Sequence, residues 1–486
     1  MSEEIRNIEP KVVWENFYQL TQIPRPSKKE QKIIEYMKKF GEELGLETIV
    51  DEIGNVIIKK PATPGMEDRK GIILQAHLDM VPQANSDSNH NFETDPIDAY
   101  IDGEWVTARG TTLGADNGMG VAAAMAVLQS KDLQHGPIEA LFTIDEETGM
   151  TGAFGLKPGM LDGDILMNLD SEDEGELYIG CAGGIDGNFK LKINYEETPA
   201  GNKAFKLFVK GLKGGHSGVD IHLGRGNSNK ILFRILRQVA AKFDVKVSKV
   251  LGGSLRNAIP RESYAIITVP ENKISDLEVF LKEQQDIIGN EIKTVDPDLE
   301  ISLEGVDTPE KVLTAESQTT LTNFIYALPN GVIRMSNEME GLTETSTNLA
   351  IVTTNENEAN IACLLRSSVD SAKQDLADTM AAICELAGAE YTFEGEYPGW
   401  KPNPDSPILA TMLKGYETQF GKIPEIKAIH AGLECGLLGG VYPNWDMISF
   451  GPTIRYPHSP DEKVHIESVK KFWDFLVETL KNAPKK

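Results

Sequence analysis

Cysteine is scarce in this chain: four residues, Cys181, Cys363, Cys384 and Cys435, in a length of 486. So few, so widely spaced, exclude a disulfide framework, and with no Cys-x-x-Cys or Cys-x-x-His pair a thiolate zinc site is excluded as well. Basic residues are also in short supply, 48 Lys plus Arg against 74 Asp plus Glu, for a formal net charge of −26. That balance lacks the basic face that nucleic acid or an anionic membrane requires, so neither is expected as a partner. Long apolar runs are missing too. No stretch approaches the roughly 18 residues of a membrane-spanning helix. Near the start, no basic segment leads into an apolar one, so no secretory signal is read and a cytoplasmic location is expected. No Gly-Lys-Ser/Thr follows Gly110-x-x-x-Gly114, and no Gly-x-Ser-x-Gly elbow occurs. Phosphate-loop and serine-nucleophile chemistry are therefore set aside.

What is present organises into two textures. The length exceeds what one core supports, which predicts two domains. Helical spacing covers 12–21 and 28–44, with Ser27 as the expected N-cap of the second helix and Gly45 as its stop. Short strands are expected at 48–50 and 55–59, then at 72–74, 138–144 and 165–169, with a helix over 121–129 among them. Strands alternating with helices predict an α/β layer with a mostly parallel sheet. After Gly183-Gly184 the pattern shifts to amphipathic strands and helices, as in an α+β domain. The segment Pro398-Gly-Trp-Lys-Pro-Asn-Pro404 reads as a return linker. Residues 1–184 and 398–486 are thus expected to form one domain, interrupted by an inserted α+β domain over 185–397.

The stretch Gly71-Ile-Ile-Leu-Gln-Ala-His-Leu-Asp-Met80 is the first chemical signal. A buried strand ends in His77 and Asp79, which share a face because side chains alternate along a strand. Asp116 lies in a glycine-rich turn before a helix, Glu147 and Asp170 follow two further strands, and His458 stands late in the chain. In open α/β sheets ligand groups collect at the carboxyl ends of strands. Two imidazoles and three carboxylates suit zinc, manganese or cobalt, and they are one ligand too many for a single tetrahedral site. With one bridging carboxylate they fit a two-metal centre that polarises a carbonyl and acidifies a water. Glu146, next to Glu147 and read as extended chain, would face away from the ligands, free to act as general base and then general acid. His90, His135, His222 and His465 read as structural or solvated.

The set His77-x-Asp79, Gly114-Ala-Asp-Asn-Gly118, Asp145-Glu-Glu-Thr-Gly149, Asn168-Leu-Asp170 and Pro457-His458-Ser459 resembles the co-catalytic metallopeptidases that include aminoacylases and carboxypeptidase G. Within them it is most similar to the cytosol non-specific, or aminoacyl-histidine, dipeptidases, along essentially the whole chain. The resemblance implies a zinc-exopeptidase-like catalytic domain with an inserted lid, and a homodimer formed through that lid. It implies two divalent ions, zinc first and manganese or cobalt as alternatives. Asp116 would bridge them, followed by a cis peptide to Asn117. His77 and Asp170 would hold one ion, Glu147 and His458 the other. Asp79 would support His77, and Glu146 would be the general base. In the lid, His216 in Gly214-Gly-His-Ser-Gly218 would meet the substrate or its oxyanion. Asn257 and Arg366 would grip the substrate's terminal carboxylate. His430 is a further candidate for that carboxylate, and Glu434 a weaker one. The activity so implied is hydrolysis of dipeptides with a free carboxylate. An N-acyl-amino-acid deacylase and a non-catalytic metal-binding protein are the alternatives.

Overall fold

The computed structural model describes residues 3–486. The chain divides into two compact units. The first runs to Gly180 and takes in Pro402–Ala428 and Leu433–Lys486; the second is Cys181–Lys401 with Ile429–Gly432.

In the first unit eight strands form one sheet, in the order Glu47–Val50, Val56–Lys60, Ile138–Thr143, Ile72–His77, Ile165–Asn168, Asp446–Ser449, Glu176–Cys181 and Glu425–Ile429. Its centre is parallel. Ile72–His77 pairs in parallel with Ile138–Thr143 on one side and with Ile165–Asn168 on the other, and Asp446–Ser449 continues the run. The first two strands add antiparallel to that centre. Every residue of Ile72–His77, Ile138–Thr143 and Ile165–Asn168 is buried. Continuous apolar runs, rather than alternating ones, are what a doubly covered parallel strand requires. The helix Ala115–Gln129 packs against Ile72–His77 and is itself buried almost throughout. Its Ala-Met-Val composition is apolar all round, as an enclosed helix must be. Because the central strands run the same way, their carboxyl ends, and the residues just beyond, share one edge. A smaller antiparallel sheet ties the hairpin Ala99–Asp102 and Trp105–Ala108 to Lys463–His465 and Ile454–Arg455.

Two local expectations change. The second helix begins at Gln31, not at 28, and Ser27 does not cap it. The Ser27 hydroxyl donates instead to Asp79 Oδ2 at 2.8 Å, and Lys28 adopts a left-handed φ of 67° that breaks the helix there. A strand at Glu390–Tyr397 was not expected. Four of its residues are acidic or Gly, and it pairs with Gly183–Lys192 at the sheet's margin. Acidic residues on a margin strand discourage unwanted pairing but erase the apolar alternation that marks a strand.

The second unit is built on an antiparallel sheet of nine strands, with Thr343–Thr354, Glu358–Ser367 and Gly183–Lys192 as consecutive neighbours. Helices Ser228–Phe243, Ala315–Ala327 and Asp370–Ala387 bury Leu232, Phe233, Phe324 and Met380 in a core shared with Val247, Ile267, Leu349 and Leu365. Among the described residues, no helix is long and apolar enough to cross a membrane.

Candidate active site

His77 closes the central strand, 1% exposed. Its Nδ1 lies 3.3 Å from Asp79 Oδ1 and 3.2 Å from the Asp79 carbonyl, both acceptors. Its Nε2 faces Asp116 Oδ1 at 3.2 Å and Asp170 Oδ1 at 3.3 Å. Acceptors around Nδ1 favour a proton on that nitrogen, which leaves the Nε2 lone pair turned toward two carboxylates. That is the tautomer a metal-ligating histidine needs.

Asp79 is fully buried and accepts from the Ser27 hydroxyl at 2.8 Å and from the N–H groups of Glu146 at 3.0 Å and Glu147 at 3.3 Å. Burial works to raise its pKa, but the His77 imidazole, Ser27 and the Glu146 N–H outweigh it and bring the value down to about 2. Asp79 thereby orients His77 and catches the start of the segment that carries Glu146 and Glu147. That segment is a single helical turn, Glu146–Gly149, entered through Asp145 at φ 52°. The extended geometry expected for the pair is corrected: the free N–H groups of a helical start, seeking a carboxylate, have set it.

His458 supplies the second imidazole. Its Nε2 lies 2.9 Å from Glu147 Oε2 and 3.3 Å from Asp116 Oδ2. Hydrogen bonds to Asp116 and Glu147 raise its pKa to about 11. Asp116 thus turns one oxygen to each histidine, and the peptide bond that follows it, to Asn117, is cis. Two groups that share Asp116 result, His77 with Asp116 and Asp170, and Asp116 with Glu147 and His458. Within each, the ligand atoms lie within 4.8 Å of one another. The donor set fits divalent ions: nitrogen lone pairs and carboxylate oxygens converge, while buried Glu147 Oε1 and Asp170 Oδ1 lack hydrogen-bond partners. Crowded acids raise one another. Burial, with Asp116 and Glu147 adding and His77 opposing, lifts Asp170 to about 7.

Glu146 joins His77 and Glu147 in a third cluster. Burial holds its carboxyl well above the usual range; the charges of Asp170, Glu434 and Glu147 add to this, and His77 opposes it. A carboxyl at that place can both take up and return a proton.

Three buried charges of this unit escaped the sequence reading in whole or part. Glu462 accepts from four consecutive backbone N–H groups, Leu113 to Asp116. Arg25 donates to the carbonyls of Leu78, Asp79 and Gly114. Neither stands in a motif, and a lone acid in a polar segment reads as solvated. Glu434, held only as a weak substrate contact, is 1% exposed and accepts from Gln75 at 2.5 Å and Thr143 at 2.9 Å.

The expected lid residues His216, Asn257 and Arg366 lie in the second unit, and so does His430, which was expected in the catalytic domain. Arg366, 5% exposed on the strand Glu358–Ser367, donates to the Tyr397 hydroxyl at 3.0 Å, and its Nε lies 3.5 Å from the Ser217 hydroxyl. No carboxylate takes up its charge in these contacts. His430 is buried, with Nε2 2.7 Å from the Ser346 hydroxyl, and burial with the Arg366 charge lowers its pKa to about 3. His216 Nδ1 accepts from the N–H groups of Gly218 at 3.2 Å and Val219 at 3.0 Å, so the proton of the neutral ring sits on Nε2. Burial and Arg366 keep that ring neutral by lowering its pKa. The Asn257 side chain is exposed, and its backbone carbonyl accepts from Ser217 N at 2.8 Å. Tyr397, which no motif marked, belongs to this group through Arg366. Among the remaining histidines, His135 is buried against the Gly136 carbonyl and His465 caps the last helix.

An α/β sheet whose carboxyl edge gathers two imidazoles and a crowd of carboxylates defines a hydrolase of the co-catalytic metal type. The chain belongs to peptidase family M20/M25/M40, whose profile matches residues 73–482. It is 48% identical over 483 residues to the cytosol non-specific dipeptidase of Escherichia coli K12, covering 99% of this chain and all of the relative. The crystal structure of aminoacylhistidine dipeptidase from Vibrio alginolyticus superposes with a TM-score of 0.96 at 50% identity, covering 100% of this chain and 99% of that one. Aminopeptidase PepT from Bacillus cereus shares the fold, with a TM-score of 0.61 at 18% identity over 98% of this chain and 99% of its own.

Proposed function

We propose that this peptidase hydrolyses dipeptides with a free C-terminal carboxylate, including Xaa-His, and that it depends on two divalent ions, zinc first among them. The observation that carries the reading is Asp116, one carboxylate turned to both imidazoles, with Glu146 beside the pair. The Escherichia coli and Vibrio relatives, both named as dipeptidases, support the substrate class. His77 and Asp170 would hold one ion, Glu147 and His458 the other, with Asp116 shared between the two groups. Two ions held there would supply Lewis-acid chemistry, polarising a carbonyl and acidifying a water.

This chain's own residues do the rest. Asp79 keeps the His77 proton on Nδ1. Glu146 takes the proton of the attacking water and returns it to the leaving amine. In the second unit, the lid of this reading, His216 donates its Nε2 proton to the developing oxyanion. Arg366 grips the substrate carboxylate with its planar fork, and Asn257 and His430 help to hold it. A homodimer through the second unit and a cytoplasmic location complete the reading.

The test is a substrate panel. Metal-stripped protein, reconstituted with zinc, manganese or cobalt, is assayed on Ala-His, Gly-Gly, a tripeptide and an N-acetyl amino acid. Metal-restored cleavage of the dipeptides supports the proposal. Turnover of the acetylated compound alone makes the chain a deacylase, and metal binding without any turnover makes it a binding protein.

A further inference from the structure

Glu462 is 2% exposed, yet it carries a carboxylate that no metal-ligand group includes. Its Oε2 accepts from Leu113 N at 2.7 Å and Gly114 N at 2.9 Å, and its Oε1 from Ala115 N at 2.7 Å and Asp116 N at 3.2 Å. All four donors are N–H groups, so both oxygens act as acceptors, as in an ionised carboxylate. These N–H groups belong to the turn that precedes the regular helix: Asp116 and Asn117 are non-helical, and no side chain of Gly114 serves the turn. The turn that carries Asp116 is therefore gathered by a single carboxylate from residue 462, far along the chain.

Arg25 completes the frame. Its Nη1 donates at 2.9 Å to each of the Leu78 and Asp79 carbonyls, and its Nη2 donates to the Gly114 carbonyl at 2.5 Å. The space around that guanidinium is fully used. A methyl on Gly114 would meet Nη2 at 2.7 Å, and so would one on Gly118, while Gly114 already sits at φ 72°. Hence Gly114 serves both turning and packing, and Gly118 packing alone. Glu462 also stands four residues after His458, and its own carbonyl is fixed by the Thr107 hydroxyl at 2.7 Å. Three separate segments are thus fastened by one buried acid and one buried base: the strand end with His77, the loop with Asp116 and the turn with His458.

We propose that Glu462 is the positioning residue of the metal centre: by clamping the four N–H groups of residues 113–116 it sets where Asp116 presents its two oxygens. The inference rests on the two-ion reading above. It adds a residue that contacts neither ion nor substrate and whose loss acts through Asp116. Outer partners of metal ligands typically govern about 10–100-fold in metal affinity.

Cobalt(II) is the probe, because its visible bands report coordination geometry and its uptake needs no substrate. Full-length wild type, Glu462→Gln and Glu139→Gln are titrated with cobalt(II) after metal removal and melted in metal-free form. Glu139 is the control, another buried acid that accepts two N–H groups, Asp162 at 2.8 Å and Gly163 at 2.7 Å, at the amino end of its strand. In Glu462→Gln an amide NH₂ replaces one oxygen and opposes two of the four N–H donors. The expected result is roughly 10–100-fold weaker cobalt binding with shifted bands in Glu462→Gln, and wild-type binding and bands in a destabilised Glu139→Gln. Should Glu462→Gln not fold, Glu462→Asp, which keeps the charge but shortens the reach, is read out in the same way. Wild-type affinity and spectrum in the Glu462 variant would overturn the proposal, as would equal weakening in both variants. A wild type that takes up fewer than two ions would instead overturn the two-ion reading.

Discussion

The two units concentrate charge of opposite kinds. At the sheet edge of the first, five acids crowd around two imidazoles, and burial with mutual repulsion pushes Asp170 and Glu146 upward. In the second, a buried guanidinium stands among neutral imidazoles and hydroxyls, and burial with its positive field pushes His430 and His216 downward. Each arrangement is costly by itself, since uncompensated buried charge is unfavourable. On the proposed reading, a ligand of the missing sign relieves each: cations in the first unit and a carboxylate in the second. A dipeptidase that uses metal and recognises a free C-terminus needs both.

Removing the cations is the most severe way to break this contrast. Chelation is expected to abolish dipeptide hydrolysis, and zinc, manganese or cobalt to restore it, as followed by activity against bound metal. Next in size, Glu146→Gln should lose roughly 10²–10⁴-fold in kcat while its metal content stays at the wild-type level, because the lost group moves a proton rather than holding an ion. On the other side, Arg366→Met should lower kcat/KM for dipeptides by roughly 10–100-fold, mainly through KM, since hydrogen bonds to a charged group are worth about 1.5–3 kcal/mol. A dipeptide with an amidated C-terminus should show little difference between wild type and Arg366→Met. If both substrates suffer equally, Arg366 is structural.

The smallest effect concerns stability and pH. The folded pKa of His430, about 3, lies below the ordinary imidazole value near 6.5. Its contribution to stability is therefore complete above about pH 6.5 and is lost as the pH falls from there through about 3. Between pH 7.5 and 5, wild type should lose more stability in denaturant melts than His430→Asn does, because only wild type carries that proton linkage.

How far the sequence spoke for itself follows the same division. His77, Asp116, Glu147 and Asp170 were legible because each stands just past a buried strand or in a glycine-rich turn, whereas His458, in Tyr-Pro-His-Ser-Pro, carries neither signal; the structure gathers all five. The parallel centre of the first sheet was legible for the same reason, from continuous apolar runs. What was not legible depends on partners far apart in the chain. Nothing local tells Ser27 to serve Asp79 rather than a helix. Nor does anything local tell Glu462 to clamp a turn hundreds of residues earlier, or give Arg366 its contact with Tyr397. The helical turn at Glu146 was missed because its cause, the Asp79 carboxylate, lies beyond the end of another strand. Local pattern located the side chains that the structure brings together, and long-range hydrogen bonds decided how they are held.

The central claim is that Asp116 serves two ions at once. The most direct measurement is a crystal structure of Glu146→Gln loaded with zinc and a dipeptide, with anomalous scattering recorded at the zinc edge. The account predicts two anomalous peaks, one beside His77 and Asp170 and one beside Glu147 and His458, with one oxygen of Asp116 on each. A single peak, or two peaks of which Asp116 touches only one, would contradict it.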